Sequence, residues 1–81
     1  SIKNEFEDLI LVKVKRKIPN KDFIIAEDVQ GAEYFVRGGI FYIPNFTCDN
    51  LIKGEEILIN KGKEAQYNKL PQPTTAFLIA K

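Results

Sequence analysis

The chain has no histidine, one cysteine and one serine, Ser1. These scarcities close off most active-site chemistry. A Ser-His or Cys-His nucleophile pair is impossible without an imidazole, and zinc needs a Cys or His cluster that one thiol cannot supply. Cys48 has no partner for an internal disulfide, which fits a reducing, cytoplasmic compartment. With no histidine beside it, Cys48 reads as a half-buried loop residue and not as a nucleophile. No stretch approaches the roughly 20 apolar residues of a membrane span, and Ser1–Ile10 lacks the pattern of a signal peptide. No membrane association is expected.

Other motifs fail as well. Gly38-Gly39 and Lys61-Gly62-Lys63 lack the glycine-rich run and following helix of a phosphate loop. Glu55 and Glu56 are adjacent strand residues, so they point to opposite faces and cannot share a catalytic site. The expectation is a non-catalytic protein with no cofactor and no metal.

With 81 residues the chain makes one small domain, of a size that buries only about 60–65% of its unfolded surface. Its core must come from short, closely packed elements, with little left for an enclosed substrate cavity. The formal net charge is only +1, so attraction to a polyanion must come from local clustering. One stretch does cluster: Leu9 to Lys21 holds five cations (Lys13, Lys15, Arg16, Lys17, Lys21) and no acid. Two readings stand, a solvated edge strand guarded by lysines and a ligand-facing strip.

The chain does not begin with methionine, and Ser1 reads as a cloning scar or a domain boundary. Residues 1–8 form a polar, acidic tail ahead of a domain spanning residues 9–81. Leu9–Lys17 is the first strand, with Val12 and Val14 on one face and Lys13, Lys15 and Lys17 on the other. Pro19 and Asn20 break it. Asp22–Glu27 and Ala32–Arg37 form a hairpin around the turn Asp28-Val29-Gln30-Gly31. Ile40–Asn50 is an irregular crossover with Phe41, Tyr42, Ile43, Phe46 and Leu51 as plugs, and one helical turn can begin at Thr47 or Asp49. After a turn at Lys53-Gly54 comes a fourth strand ending at Asn60. A polar loop, Lys61–Pro73, leads to a fifth strand, Thr74–Ala80, whose apolar run suggests burial on both sides or closure of a barrel. The expected fold is all-β, a small five-stranded antiparallel barrel with a long connection between strands 3 and 4.

This order resembles the oligonucleotide-binding (OB) barrel, and within it the cold-shock domain. The family's Val-Lys-Trp-Phe-Asn looks like Val12-Lys13-Val14-Lys15-Arg16. Its first ribonucleoprotein motif, Lys-Gly-Phe-Gly-Phe-Ile, looks like Pro19-Asn20-Lys21-Asp22-Phe23-Ile24, and its second, Val-Phe-Val-His-Phe, like Tyr34-Phe35-Val36-Arg37-Gly38. Its Ser-Leu-x-x-Gly-x-x-Val resembles Asn50-Leu51-Ile52-Lys53-Gly54-Glu55-Glu56-Ile57, and its Gly-Pro-x-Ala is echoed by Gln72-Pro73-Thr74-Thr75-Ala76. Of the family's stacking positions Phe23 and Phe35 keep a ring, while Val14, Lys15, Lys21 and Gly38 do not, and Arg37 replaces the histidine. A neighbouring resemblance is to the S1-type barrel of the smallest bacterial translation initiation factor, whose Leu-Pro-Asn-x-x-Phe looks like Ile18-Pro19-Asn20-Lys21-Asp22-Phe23.

The resemblance implies weak, salt-sensitive binding of single-stranded RNA or DNA with little sequence preference. Lys13, Lys15, Lys21 and Arg37 would neutralise phosphates, and Phe23 and Phe35 would stack on bases. Alternation supports this placement, since Ile24 and Val36 point opposite to Phe23 and Phe35. The alternative is an OB-fold module that binds a protein partner, as one domain of a larger chain, or an S1-like translation-associated module.

Overall fold

The computed structural model describes residues 9–61 and 69–80; the expected 1–8 tail and most of the polar loop before the last strand lie outside them. The fold is all-β. Strands β1 (Leu9–Lys17), β2 (Phe23–Glu27), β3 (Glu33–Arg37), β4 (Glu56–Asn60) and β5 (Ala76–Leu78) form one antiparallel sheet in the order β3-β2-β1-β4-β5. The sheet curls into a small half-barrel, as expected of a five-stranded barrel fold. Its closing side is held by a parallel bridge between Phe41 and Ala76 and by the Tyr42 amide donating to the Ala76 carbonyl at 3.3 Å.

The long first strand makes the curl. Its first half pairs with β4, from Leu9 opposite Asn60 to Lys13 opposite Glu56; Val14 still bonds to the Gly54–Glu55 turn, and the rest of the strand pairs with β2. Between them the register with β2 shifts, from Val14 opposite Ala26 to Arg16 opposite Ile25. Such a β-bulge inserts one residue, here Lys15, and bends the strand. It overturns strict alternation past Val14. Arg16 is brought to the outer face, and Lys17 falls opposite Ile24 on the inward-facing row, exposed where the barrel ends. The reading that placed Lys17 beside Lys13 and Lys15 is corrected accordingly.

Turn chemistry matches the local residues. The Lys21 amide donates to the Ile18 carbonyl across Pro19 and Asn20, with Asn20 at φ 63°. Pro at the second turn position and a left-handed Asn at the third are the type II signature. In the β2–β3 loop Asp28 Oδ1 accepts the Gln30 and Ala32 amides at 2.9 and 3.0 Å, and Oδ2 accepts the Tyr34 hydroxyl at 3.2 Å. Asn60 holds the approach to β5, its Oδ1 accepting the Thr74 and Thr75 amides at 2.9 and 3.1 Å. These side-chain bonds explain why the fifth strand, expected over Thr74–Ala80, begins only at Ala76: the Thr74 and Thr75 amides bond to a side chain ahead of the ladder. The strand ends at Leu78. Only Ala76 of that strand joins the interior, while Leu78 and Ile79 stay 38% and 39% exposed. Of the two expectations, burial on both sides therefore fails, while the bridge from Ala76 to Phe41 lies on the closing side of the sheet.

The core follows the alternation. Val12, Val14, Ile24, Ala26, Tyr34, Val36, Ile57, Ile59 and Ala76 point inward from the five strands. The connection from β3 to β4 supplies the rest: two 3-10 turns, Gly38–Ile40 and Cys48–Asn50, carry Ile40, Phe41, Cys48 and Leu51 into the barrel. Phe46 packs against this cluster and lies 4.4 Å from Phe41 between ring centroids. Tyr42 and Ile43, expected as plugs, are instead 53% and 42% exposed. Phe41 takes the inward position, and Tyr42 turns to meet the Phe77 ring edge-on at 4.7 Å.

Among the described residues no helix is long and apolar enough to cross a membrane.

Candidate nucleic-acid interface

Alternation and register lay out the outer wall of β1, β2 and β3 in rows, because cross-strand partners share a face. One row is Lys13, Glu27 and Glu33. The next is Arg16, Ile25 and Phe35, with the bulged Lys15 beside Arg16. The last is Phe23 and Arg37, next to the turn that carries Lys21.

Phe23 and Phe35 are diagonal neighbours in this layout. Their ring centroids are 4.3 Å apart with planes inclined by 31°, and both side chains are half-buried. The rings lie outside the barrel, since Ile24 and Val36, at 0% exposure, take the inward positions. Ile25 is only 5% exposed yet stands outside the interior cluster. It forms an apolar floor on the outer wall beside Phe35. Phe23, Ile25 and Phe35 thus make a second, external apolar cluster with an aromatic surface.

Charge divides unevenly around the rings. Lys21 and Arg37 are exposed at the Phe23 end, and Arg16 is exposed in the middle row beside Ile25. At the other end Lys15 is held: its Nζ lies 2.7 Å from Glu33 Oε2 and 3.5 Å from Glu27 Oε2. The hydrogen bond from Lys15 and its positive charge hold the Glu33 carboxyl below the usual range, and the same bond raises the Lys15 ammonium. Lys13 stands between Glu27 and Glu56 in the register. A groove of about 270 Å³ continues past it, lined by Leu11, Lys13, Glu27, Asp28, Val29 and others. All six expected contact residues therefore belong to β1, β2, β3 or the first turn, but only Lys21, Phe23, Phe35 and Arg37 gather at one end. Lys13 and Lys15 stand among acids.

Alternation missed Arg16 and Ile25. A signal for Arg16 was present: an arginine at a position that alternation assigns to the interior has either to stand at an exposed strand end, as Lys17 does, or to be turned out by a bulge, because a charge does not bury unpaired.

Gly38, where the cold-shock pattern has a ring, cannot carry one. The Gly38 amide donates to the Asp22 carbonyl at 3.1 Å, and the Asp22 carboxylate turns under it to accept the Cys48 amide at 2.8 Å. A Cβ on residue 38 would stand 2.8 Å from the Asp22 carboxyl carbon, well inside contact distance. Gly38→Ala is therefore expected to destabilise the fold by about 1–3 kcal/mol, the usual cost of overpacking, read as a lower urea midpoint at unchanged slope. Beneath this clamp burial pushes the Cys48 thiol up to about 12, with the Asp22 carboxylate adding to the shift, so the thiol stays protonated and inert.

Among the described residues no group of three or more His, Cys, Asp or Glu side chains is placed to hold a metal ion. Comparison with protein-family models, with curated proteins and with solved structures gives no match.

Proposed function

We propose that the protein is a non-catalytic binder of single-stranded RNA or DNA, cold-shock-like in architecture, that uses the outer wall of β1, β2 and β3. The observation that carries this reading is the half-buried Phe23–Phe35 ring pair on the outer wall, with Arg16, Lys21 and Arg37 exposed on the same strands and first turn. Rings placed outside a barrel leave apolar surface exposed that the interior cluster does not use. Next to three cations they offer stacking surfaces with phosphate partners at hand. Arg37 stands across from Phe23 in the register and can also lay its planar guanidinium on a base. The single reduced thiol is in keeping with a cytoplasmic setting.

Binding is expected to be weak and dominated by charge, because two rings serve where the cold-shock pattern uses more. Titration with dT or rU oligomers at low salt should shift the amide resonances of Lys21, Phe23 and Phe35. Affinity should fall with salt at a log–log slope of about −2, from three phosphates at roughly −0.7 each. Unmoved resonances at these residues would sink the proposal.

A second reading, a protein-interaction module, is favoured by the groove beyond Lys13. Leu11 is 41% exposed and Val29 93% exposed beside it, and the lining mixes apolar and acidic groups. An S1-like, translation-associated role would use the same wall as the nucleic-acid reading, with fewer rings.

A further inference from the structure

The outer wall contains an internal competitor for phosphate. Resting on the nucleic-acid reading of this wall, we propose that Glu27 and Glu33 cage Lys15 and thereby end the polynucleotide footprint at the Arg16–Ile25–Phe35 row. The wall then grips a short stretch of nucleic acid at one end, and the basic run of β1 is not a continuous track.

The geometry supports this in three ways. First, the two carboxylates approach the Lys15 ammonium from neighbouring strands, at 2.7 and 3.5 Å, in the places that phosphate oxygens would take. Second, two carboxylates on one ammonium leave an excess of negative charge, and Lys13 beyond it stands between Glu27 and Glu56. A phosphodiester advancing along β1 from Phe35 therefore meets three carboxylates and two ammonium groups. Third, the groove past Lys13 adds Asp28 to its lining together with the apolar Leu11 and Val29, and the next cation, Lys61 in the adjoining pocket, already acts on the Asp28 carboxylate. The opposite end differs: the acid nearest Phe23 in sequence, Asp22, turns its carboxylate to the Cys48 amide. That leaves Arg16, Lys21 and Arg37 to face a ligand. Arg16 also lies close enough to Glu33 to help lower its carboxyl, so it marks the border between the two halves.

Counterion release counts phosphates contacted, so the salt slope reports whether Lys15 is engaged. Fluorescently labelled dT oligomers of increasing length would be titrated against four proteins over a range of salt: wild type, E27Q/E33Q, K15Q/E27Q/E33Q and the single variant E33Q. The carboxylates are at the surface, and glutamine preserves their shape; thermal melts confirm that each variant folds. In E27Q/E33Q the slope should steepen by about 0.7, and affinity should plateau at a longer oligomer. E33Q should change in the same direction by less, and it stands in should the double variant not fold. In K15Q/E27Q/E33Q the slope should return to the wild-type value, since a mere gain in net charge would not depend on Lys15.

An unchanged slope and plateau length in E27Q/E33Q, with wild type binding, would overturn the cage alone. A steeper slope that persists without Lys15 would also overturn it. If neither wild type nor E27Q/E33Q binds dT, the nucleic-acid reading falls and the cage with it. Binding by E27Q/E33Q where wild type shows none would support both.

Discussion

Replacing Phe23 and Phe35 together with leucine is expected to abolish measurable oligonucleotide binding while leaving the barrel folded. Each stacked base is worth about 1–3 kcal/mol, so loss of both rings removes about 2–6 kcal/mol, at least about 30-fold in affinity. For a site that already binds weakly, that places the variant below detection. Leucine is chosen over alanine because the rings also have a structural task. They flank Ile25 on the outer face, Phe35 opposite it and Phe23 two residues before it, and Ile25 is only 5% exposed although it lies outside the interior cluster. Alanine would uncover it and confuse lost binding with lost stability. Leucine keeps apolar bulk, and its structural cost should stay below about 1.5 kcal/mol. Binding isotherms at low salt and urea unfolding of the same samples separate the two effects. A double-leucine variant that binds as wild type would mean that the wall acts through charge alone and that the ring pair is only a surface cluster.

Leu51→Ala should produce the largest loss of stability in the connection between β3 and β4. Leu51 belongs to no strand, yet it is 1% exposed and packed in the interior cluster. Its amide caps the second 3-10 turn by donating to the Cys48 carbonyl at 3.0 Å. Buried leucine-to-alanine changes cost about 2–5 kcal/mol through lost transfer energy and the cavity left behind. Against a total of about 5–15 kcal/mol for a small domain, that is enough to lower the urea midpoint strongly. Ile52, the next residue, is 71% exposed, and Ile52→Ala should change stability by no more than about 0.5 kcal/mol. The contrast tests whether the connection unfolds with the barrel. A Leu51→Ala variant that loses less than about 1 kcal/mol would show that the connection opens separately.

Much of this fold was readable because its strands are short and one-sided. A strand with one buried face must alternate, and Glu33-Tyr34-Phe35-Val36-Arg37 does so, with Tyr34 and Val36 inside. Proline and a left-handed asparagine mark the first turn, and Gly54 at φ 91° marks the turn before β4. These are local constraints, and local residues report them. The external placement of Phe23 and Phe35 was legible for the same reason, since Ile24 and Val36 claim the interior.

What alternation could not carry was anything dependent on a partner strand. Lys15 reads as a free cation in β1, and only the register brings Glu27 and Glu33 to it. Tyr42 and Ile43 read as plugs in a run of apolar residues, and the bridge from Phe41 to Ala76 decides which residue of the run faces inward. Gly38 reads as a missing ring until Asp22 is seen beneath it.

The sequence by itself thus determined an all-β chain of five strands with two rings outside the barrel, because side-chain period and turn chemistry act within a few residues of the chain. The tertiary structure alone decided how the charges on the outer wall divide. One bulge at Lys15 shifts the β1 register by a residue, turns Arg16 outward and sets Lys15 between two carboxylates. That outcome depends on the pairing of three strands, which no periodicity in β1 records.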